Sequence, residues 1–505
     1  MIPELIAILT ALLHLAFAGN YGYFRDELYF LACAHHLAWG YPDQPPLVAL
    51  VALLSAPFHW NLFVLRAPVA IAAALNVLVV ASLAREVGGK HFARVLAAIA
   101  VAALPAYLTL GSVLTTTSFE PLTWSLVALL TLRALRTPTP AAGALLGAAI
   151  AFGTYGKYSM LLWVVALALG IACSPQRTLL RSPCALAAFA VAALALAPNL
   201  LWQATHGWPF AAVIHADFLD RHSFNNGWQL EYRGFLANTI SFSLEQIAFT
   251  NPVLAPLWIL GIVTALRTPA LRFIGIAALG TLAVAIALEA KGYYVIGAYG
   301  SLLAVGATAL ERASESLRAA RGIAIAAVLA TATLALPLAA PVLPVDTLIA
   351  YSRALHLTGN HGTAARLIQP LFAEEFGWQR LAEDVARAYE RIPTSRRART
   401  AIYADTYADA GAIDRYGPAL HLPPAISSQN AYWLWGMRGY DMRSVLAIGA
   451  SRQRRLFAAY ATCMRVGSTF DRYRAVVEGP TPIFFCTHPR MPRAALWRSL
   501  RWYGA

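Results

Sequence analysis

Apolar runs recur along the chain as far as about residue 342, and charge falls mainly in and next to the stretches between them. In hydrocarbon a backbone must satisfy its own hydrogen bonds, and a helix of about 20 mainly apolar residues does so while crossing the bilayer core. Runs of suitable length lie near 3–20, 62–84, 93–111, 120–135, 141–155, 158–173, 184–201, 251–266, 273–289, 294–310 and 322–340. They predict a multi-pass α-helical membrane protein of about 11 transmembrane helices. Composition agrees: 59% of the residues are hydrophobic and 13% charged, where a soluble globular chain carries roughly 25% charged residues. The first run has no basic flank and no clear small-residue cleavage site, so it reads as a retained span and not as a removed signal peptide.

The basic residues orient these spans. With the N-terminus inside, the cytoplasmic connections hold Arg85, Lys90 and Arg94; Arg133 and Arg136; Arg177 and Arg181; Arg267 and Arg272; and Arg312, Arg318 and Arg321. The opposite short connections carry few basic residues, mainly Arg25, Lys157 and Lys291. This alternation follows the positive-inside rule, and an odd span count puts the C-terminus outside. The same distribution argues against a nucleic-acid partner despite a net charge of +14, because no single basic stripe forms.

Two organisational units are expected. Residues 1–342 form a transmembrane domain with outer loops at 21–61 and 202–250, and 343–505 form an extracytoplasmic α/β domain. In the tail, AIYADTYADAGAIDRYG (401–417) reads as strand then helix, and PIFFCTHP (482–489) as a short strand. The long outer loop interleaves Asp217, Asp220, Arg221, His222, Glu231 and Arg233 with Trp208, Phe218, Phe224 and Trp228, a mixture suited to interfacial helices. The five cysteines show no metal-ligand spacing. Cys463 and Cys486 read equally as a disulfide or as separate buried thiols.

The densest chemistry is YGYFRDELYFLACAHHLAWGYPDQPPL, Tyr21 to Leu47, directly after the first run. Arg25, Asp26 and Glu27 stand where the chain leaves the bilayer, and acids at such a depth are costly enough to be functional candidates. The competing reading is an interfacial cluster that stops the helix, with a snorkelling arginine pairing an acid. Asp43-Gln44-Pro45-Pro46 is a rigid turn back toward the membrane. The prolines explain the turn; they do not explain Asp43, which is placed to bind an acceptor or a divalent metal. His35 and His36 point apart on a helix and make a poor joint metal site.

Other candidates are more ambiguous. Only three lysines occur, Lys90, Lys157 and Lys291. Lys291 with Tyr293 and Tyr294 reads as an interfacial anchor or as the binding site of a lipid-linked phosphate. Lys157, between Tyr155 and Tyr158, has the same two readings. Glu120 favours the start of a helix capped by Thr117 or Ser118. Arg221 and Arg233 are candidates for a phosphate clamp.

The Asp-Glu pair after the first run and the DQPP turn, with GTYGKYSMLL, NPVLAPLW, KGYYVIGAYGSLLAVGA, ADTYADAGAIDRYG and LPPAISSQNAYWLWG following in order, resemble the polyprenyl-phosphate-sugar-dependent glycosyltransferases of the family-39 type. These include the lipid A aminoarabinose transferases and the protein O-mannosyltransferases. The resemblance implies a C-type glycosyltransferase fold, an extracytoplasmic active site at the bacterial inner membrane, and a polyprenyl-phosphate sugar as donor. It implies a lipid, glycan or protein of the envelope as acceptor. Asp26 matches the first-loop catalytic aspartate and Asp43 the acid before the paired prolines. Tyr294 matches a donor-contacting tyrosine. Gln44 stands where such enzymes often have a phosphate-contacting lysine, a charge that Lys291 or Arg25 would then supply. The alternative from another class is a transporter or flippase of lipid-linked sugars, though the paired broken helices and inverted repeats of transporters are not visible.

Overall fold

The computed structural model describes residues 1–223, 234–357, 368–449, 453–474 and 480–504, with side chains described except over 217–223, at 318 and over 453–454. The chain divides into two compact units. The first comprises Met1–Asn20, Phe63–Leu201 and Tyr232–Val342; the second comprises Tyr21–Leu62, Trp202–Glu231 and Leu343–Ala505.

The first unit is helical. Among the described residues four helices are long and apolar enough to cross a membrane, Leu62–Glu86, Pro183–Thr205, Gly292–Ala313 and Ala319–Ala339, and a fifth span is available if the bent pair Phe235–Phe249 and Pro252–Arg267 counts as one. That pair turns by 96° around Asn251, whose φ of 67° and following proline break the helical ladder. Shorter apolar helices include Ile2–Phe17, His91–Ala102, Pro140–Gly156, Ser159–Ala172 and Arg272–Ala287.

Small residues let these helices approach closely. A Cβ on Gly261 would collide with the Leu302 carbonyl, and one on Gly306 with the Leu257 carbonyl. The helices Ala255–Arg267 and Tyr299–Ala313 therefore pack backbone to backbone, the device that substitutes for hydrophobic drive in lipid. At the centre, Trp124 and Trp163 stack with centroids 5.1 Å apart, and the Trp163 indole donates to the Trp124 carbonyl at 3.2 Å. Buried Arg66 donates to the carbonyls of Ala18 at 3.1 Å and Asn20 at 3.4 Å, satisfying the end of the first helix.

The second unit is α/β. Its strands are β1 (Thr400–Ala404), β2 (Ala425–Ser427), β3 (Ser444–Ile448), β4 (Tyr460–Thr469) and β5 (Thr481–Pro489), in the order β2-β1-β3-β5-β4. β1 runs parallel to β2 and β3, whereas β5 is antiparallel to β3 and β4. The strand and helix read in 401–417 form as β1 and the helix Tyr407–Tyr416, and the strand read in 482–489 is β5. Cys463 and Cys486 lie directly opposite on β4 and β5 and are joined by a disulfide. The pairing that the sequence left open is thus decided by strand register.

The first-loop helix Arg25–His35 belongs to this unit and packs on the helix Tyr407–Tyr416. Gly411 makes the approach feasible, since a Cβ there would sit 2.8 Å from the Leu28 carbonyl oxygen. Two segments nearly 400 residues apart in sequence are therefore packed against each other.

Candidate active site

Asp26 lies in the first turn of the helix Arg25–His35. Its Oδ1 accepts from the Tyr407 hydroxyl at 2.7 Å and from Arg25 Nε at 3.2 Å. Arg25 is shared, donating through Nη1 to Glu374 at 3.0 Å. Asp26 Oδ2 accepts nothing from the described residues, and the side chain keeps 25% of its exposure. A carboxylate held by one oxygen and open at the other has the form of a general base.

Asp43 is held at both oxygens. Tyr29 donates to Oδ1 at 2.9 Å and Asn430 Nδ2 to Oδ2 at 3.0 Å. Burial pushes its carboxyl up to about 7, and the charge of Asp26 adds to the rise, while the bonds from Tyr29 and Asn430 oppose it. Tyr29 and Tyr407 stack with centroids 4.6 Å apart. Burial raises both phenols well above their ordinary value, so they act as neutral donors.

The remaining first-loop candidates take other parts. Glu27 is fully buried, and its Oε2 accepts from the Phe24 backbone N–H at 2.8 Å, so it secures the start of its own helix. Gln44 is buried, with Nε2 3.7 Å from Cys33 Sγ. His35 and His36 do diverge, lying on Trp60 and Trp435 respectively. Among the described residues no group of three or more His, Cys, Asp or Glu side chains is arranged to hold a metal.

A second constellation lies within the helical unit. Lys157 Nζ is 3.5 Å from Glu120 Oε2, donates to Thr117 Oγ1 at 2.8 Å, and sits 4.4 Å and 5.1 Å from the ring centroids of Tyr294 and Tyr293. The Ser159 hydroxyl donates to Glu120 Oε1. The expectation that Thr117 or Ser118 caps the helix at Glu120 is corrected: Phe119 is the cap residue and no side chain serves it. Ser118 instead closes its own turn with Val113 and Thr115, and Thr117 faces the lysine. Lys291 precedes the turn Gly292–Ala298 that carries Tyr293 and Tyr294, and its carbonyl accepts from the Tyr294 N–H at 3.0 Å. The Arg221 side chain and Arg233 lie outside the described residues.

Residues 43–202 match a family model described as dolichyl-phosphate-mannose-protein mannosyltransferase. No curated protein matches the sequence. Two crystal structures of ArnT from Cupriavidus metallidurans are similar in fold: the apo state has a TM-score of 0.59 and the state bound to undecaprenyl phosphate 0.58, each at 13% identity over 95% of this chain and 96% of that one. At this identity the likeness is one of fold: the chain shares the fold of ArnT.

Within this fold, Tyr407, Asn430, Tyr29 and Glu374 were missed as site residues. The first two lie in the stretches ADTYADAG and SSQNAYW, which carry the family resemblance without any local sign of a role. Tyr407 meets Asp26 across 381 positions and Asn430 meets Asp43 across 387. No periodicity or motif signals contacts at such separations. Tyr29 did carry a signal, being one turn after Asp26 on the same helix face.

Proposed function

We propose that this chain is an inverting glycosyltransferase that moves a hexose or pentose from a polyprenyl-phosphate donor to an acceptor of the cell envelope. The observation that carries the reading is Asp26, anchored through Oδ1 by Tyr407 and Arg25 and open at Oδ2. The acceptor hydroxyl attacks the anomeric carbon from the face opposite the phosphate, and its proton passes to Asp26 Oδ2. The bond between anomeric carbon and phosphate oxygen breaks, and the electron pair leaves with the polyprenyl phosphate. No acid is needed for that leaving group; a cation or hydrogen-bond donor suffices.

Lys291 is the first choice for that cation, because it is one of only three lysines and borders the Tyr293–Tyr294 turn. Eleven spans with the N-terminus inside and the C-terminus outside remain our topology, placing the protein in the bacterial inner membrane with the reaction on the extracytoplasmic face. The Cys463–Cys486 disulfide supports this, since such bonds persist in oxidising compartments. The acceptor is a membrane lipid such as lipid A, an envelope glycan or a protein.

The test is transfer from a synthetic polyprenyl-phosphate sugar by purified protein in detergent, paired with mass spectrometry of envelope lipids and glycoproteins with and without the protein. Lys291→Met should lower transfer by about 10²-fold with the protein folded. A wild-type rate for that variant would move the phosphate site elsewhere, and a wild-type protein that transfers from no such donor would overturn the reading. A reporter fused after Ala505 should be active outside the cytoplasm and one near Arg181 inside.

A further inference from the structure

The stacked tyrosines stand between two carboxylates that share no direct hydrogen bond. Tyr29 serves Asp43 and Tyr407 serves Asp26. Tyr407 is fixed with more care than a core aromatic requires. Thr406 caps the helix Tyr407–Tyr416, its Oγ1 accepting from the Asp409 N–H at 3.1 Å. Asp409 accepts from Arg474 Nη2 at 2.6 Å, with both side chains nearly buried. The Tyr407 N–H donates to Gln429 Oε1 at 2.7 Å. The cap, the buried ion pair and the backbone bond all converge on the residue whose hydroxyl ends at Asp26.

A partly exposed carboxylate in the first turn of a helix would otherwise rotate about its side-chain torsions. Each misplacement of the accepting oxygen costs rate, because proton transfer needs hydrogen-bond reach at the moment of attack. A neutral donor is well suited to prevent that rotation. It orients the base without cancelling its charge, whereas Arg25 divides its guanidinium between Asp26 and Glu374.

We propose that Tyr407 is a positioning residue for Asp26: its hydroxyl pins Oδ1 so that Oδ2 is the oxygen that takes the acceptor's proton. The polar tail segment thereby completes the base that the first loop supplies. The proposal rests on Asp26 being the base.

Tyr407→Phe tests it, since the ring still stacks on Tyr29 and only the hydroxyl is lost. Transfer is measured from the synthetic donor, with rates normalised to folded protein by donor binding. The expected result is a kcat lowered about 10-fold or more, in keeping with a hydrogen bond to a charged group, with KM for donor and thermal midpoint near wild type. In an Asp26→Asn background, Tyr407→Phe should add no further loss, because the two residues act as one unit. Asp409→Asn weakens the Arg474 clamp without touching the tyrosine, and it should lower kcat by a smaller factor at unchanged KM; it serves as the test if Tyr407→Phe folds poorly. A wild-type kcat for either folded variant, with Asp26→Asn inactive, overturns the positioning role and leaves the base assignment standing. Normal transfer by Asp26→Asn overturns both.

Discussion

Each unit of this molecule holds a buried or half-buried carboxylate cluster, and the two clusters are neutralised in opposite ways. In the helical unit Glu120 is met by a lysine, a serine hydroxyl and two aromatic faces around that lysine. In the α/β unit Asp26 and Asp43 are met mainly by neutral donors: two tyrosine hydroxyls and an asparagine amide. A buried acid facing a lysine has its charge matched, and removing either partner leaves the other uncompensated. On the proposed function, the first cluster is structural and the second does the chemistry.

The largest expected effect tests the chemical half of that contrast. Asp26→Asn should lower turnover by about 10²-fold or more while folding and donor binding persist, measured as transfer by purified protein. Its neighbour supplies the control. Glu27→Gln should cost about 0.5–2 kcal/mol of stability through its helix-start contact and leave turnover near wild type. Equal loss in both variants would mean that the whole Arg25-Asp26-Glu27 cluster is only an anchor.

Next comes the structural half. Lys157→Met strands Glu120 and should destabilise the helical unit by about 3–5 kcal/mol, seen as a lower midpoint of thermal unfolding in detergent. Adding Glu120→Gln should recover most of that loss, because no unpaired charge is left. A Lys157→Met protein that melts like wild type but fails to transfer would break the comparison, placing this lysine with the donor.

A further effect is a pH dependence of stability from Asp43. Its carboxyl lies at about 7 when folded, above an unfolded value of about 3.9. Between those pH values the folded chain holds a proton that the unfolded chain has released. The associated stabilisation is fully present below about pH 4 and is lost as pH rises toward about 7. Asp43→Asn should flatten that slope, which thermal unfolding from pH 4 to 8 would show. An unchanged slope would mean that Asp43 titrates as an ordinary exposed acid.

Much of this was legible from one-dimensional pattern, and the failures were local as well as distant. Apolar runs announced a helical membrane protein because hydropathy alone governs that choice. The strand and helix of 401–417 were legible in the run AIYADTYADAGAIDRYG. The cap expected at Glu120 failed because Thr117 and Ser118 each found a better partner, one of them a lysine 40 positions away.

The sequence by itself determined which acids exist near a bilayer exit and that a rigid turn carries the second of them. Tertiary structure alone decided what each acid became. Glu27 and Asp26 are neighbours of one chemical type, but the helix Arg25–His35 turns one toward its own backbone and the other toward Tyr407. Likewise, strand register brought Cys463 opposite Cys486. The physical reason is common to both cases. A residue's chemistry depends on the groups within a few ångströms of it, and those groups were brought there by packing between segments that the sequence keeps far apart.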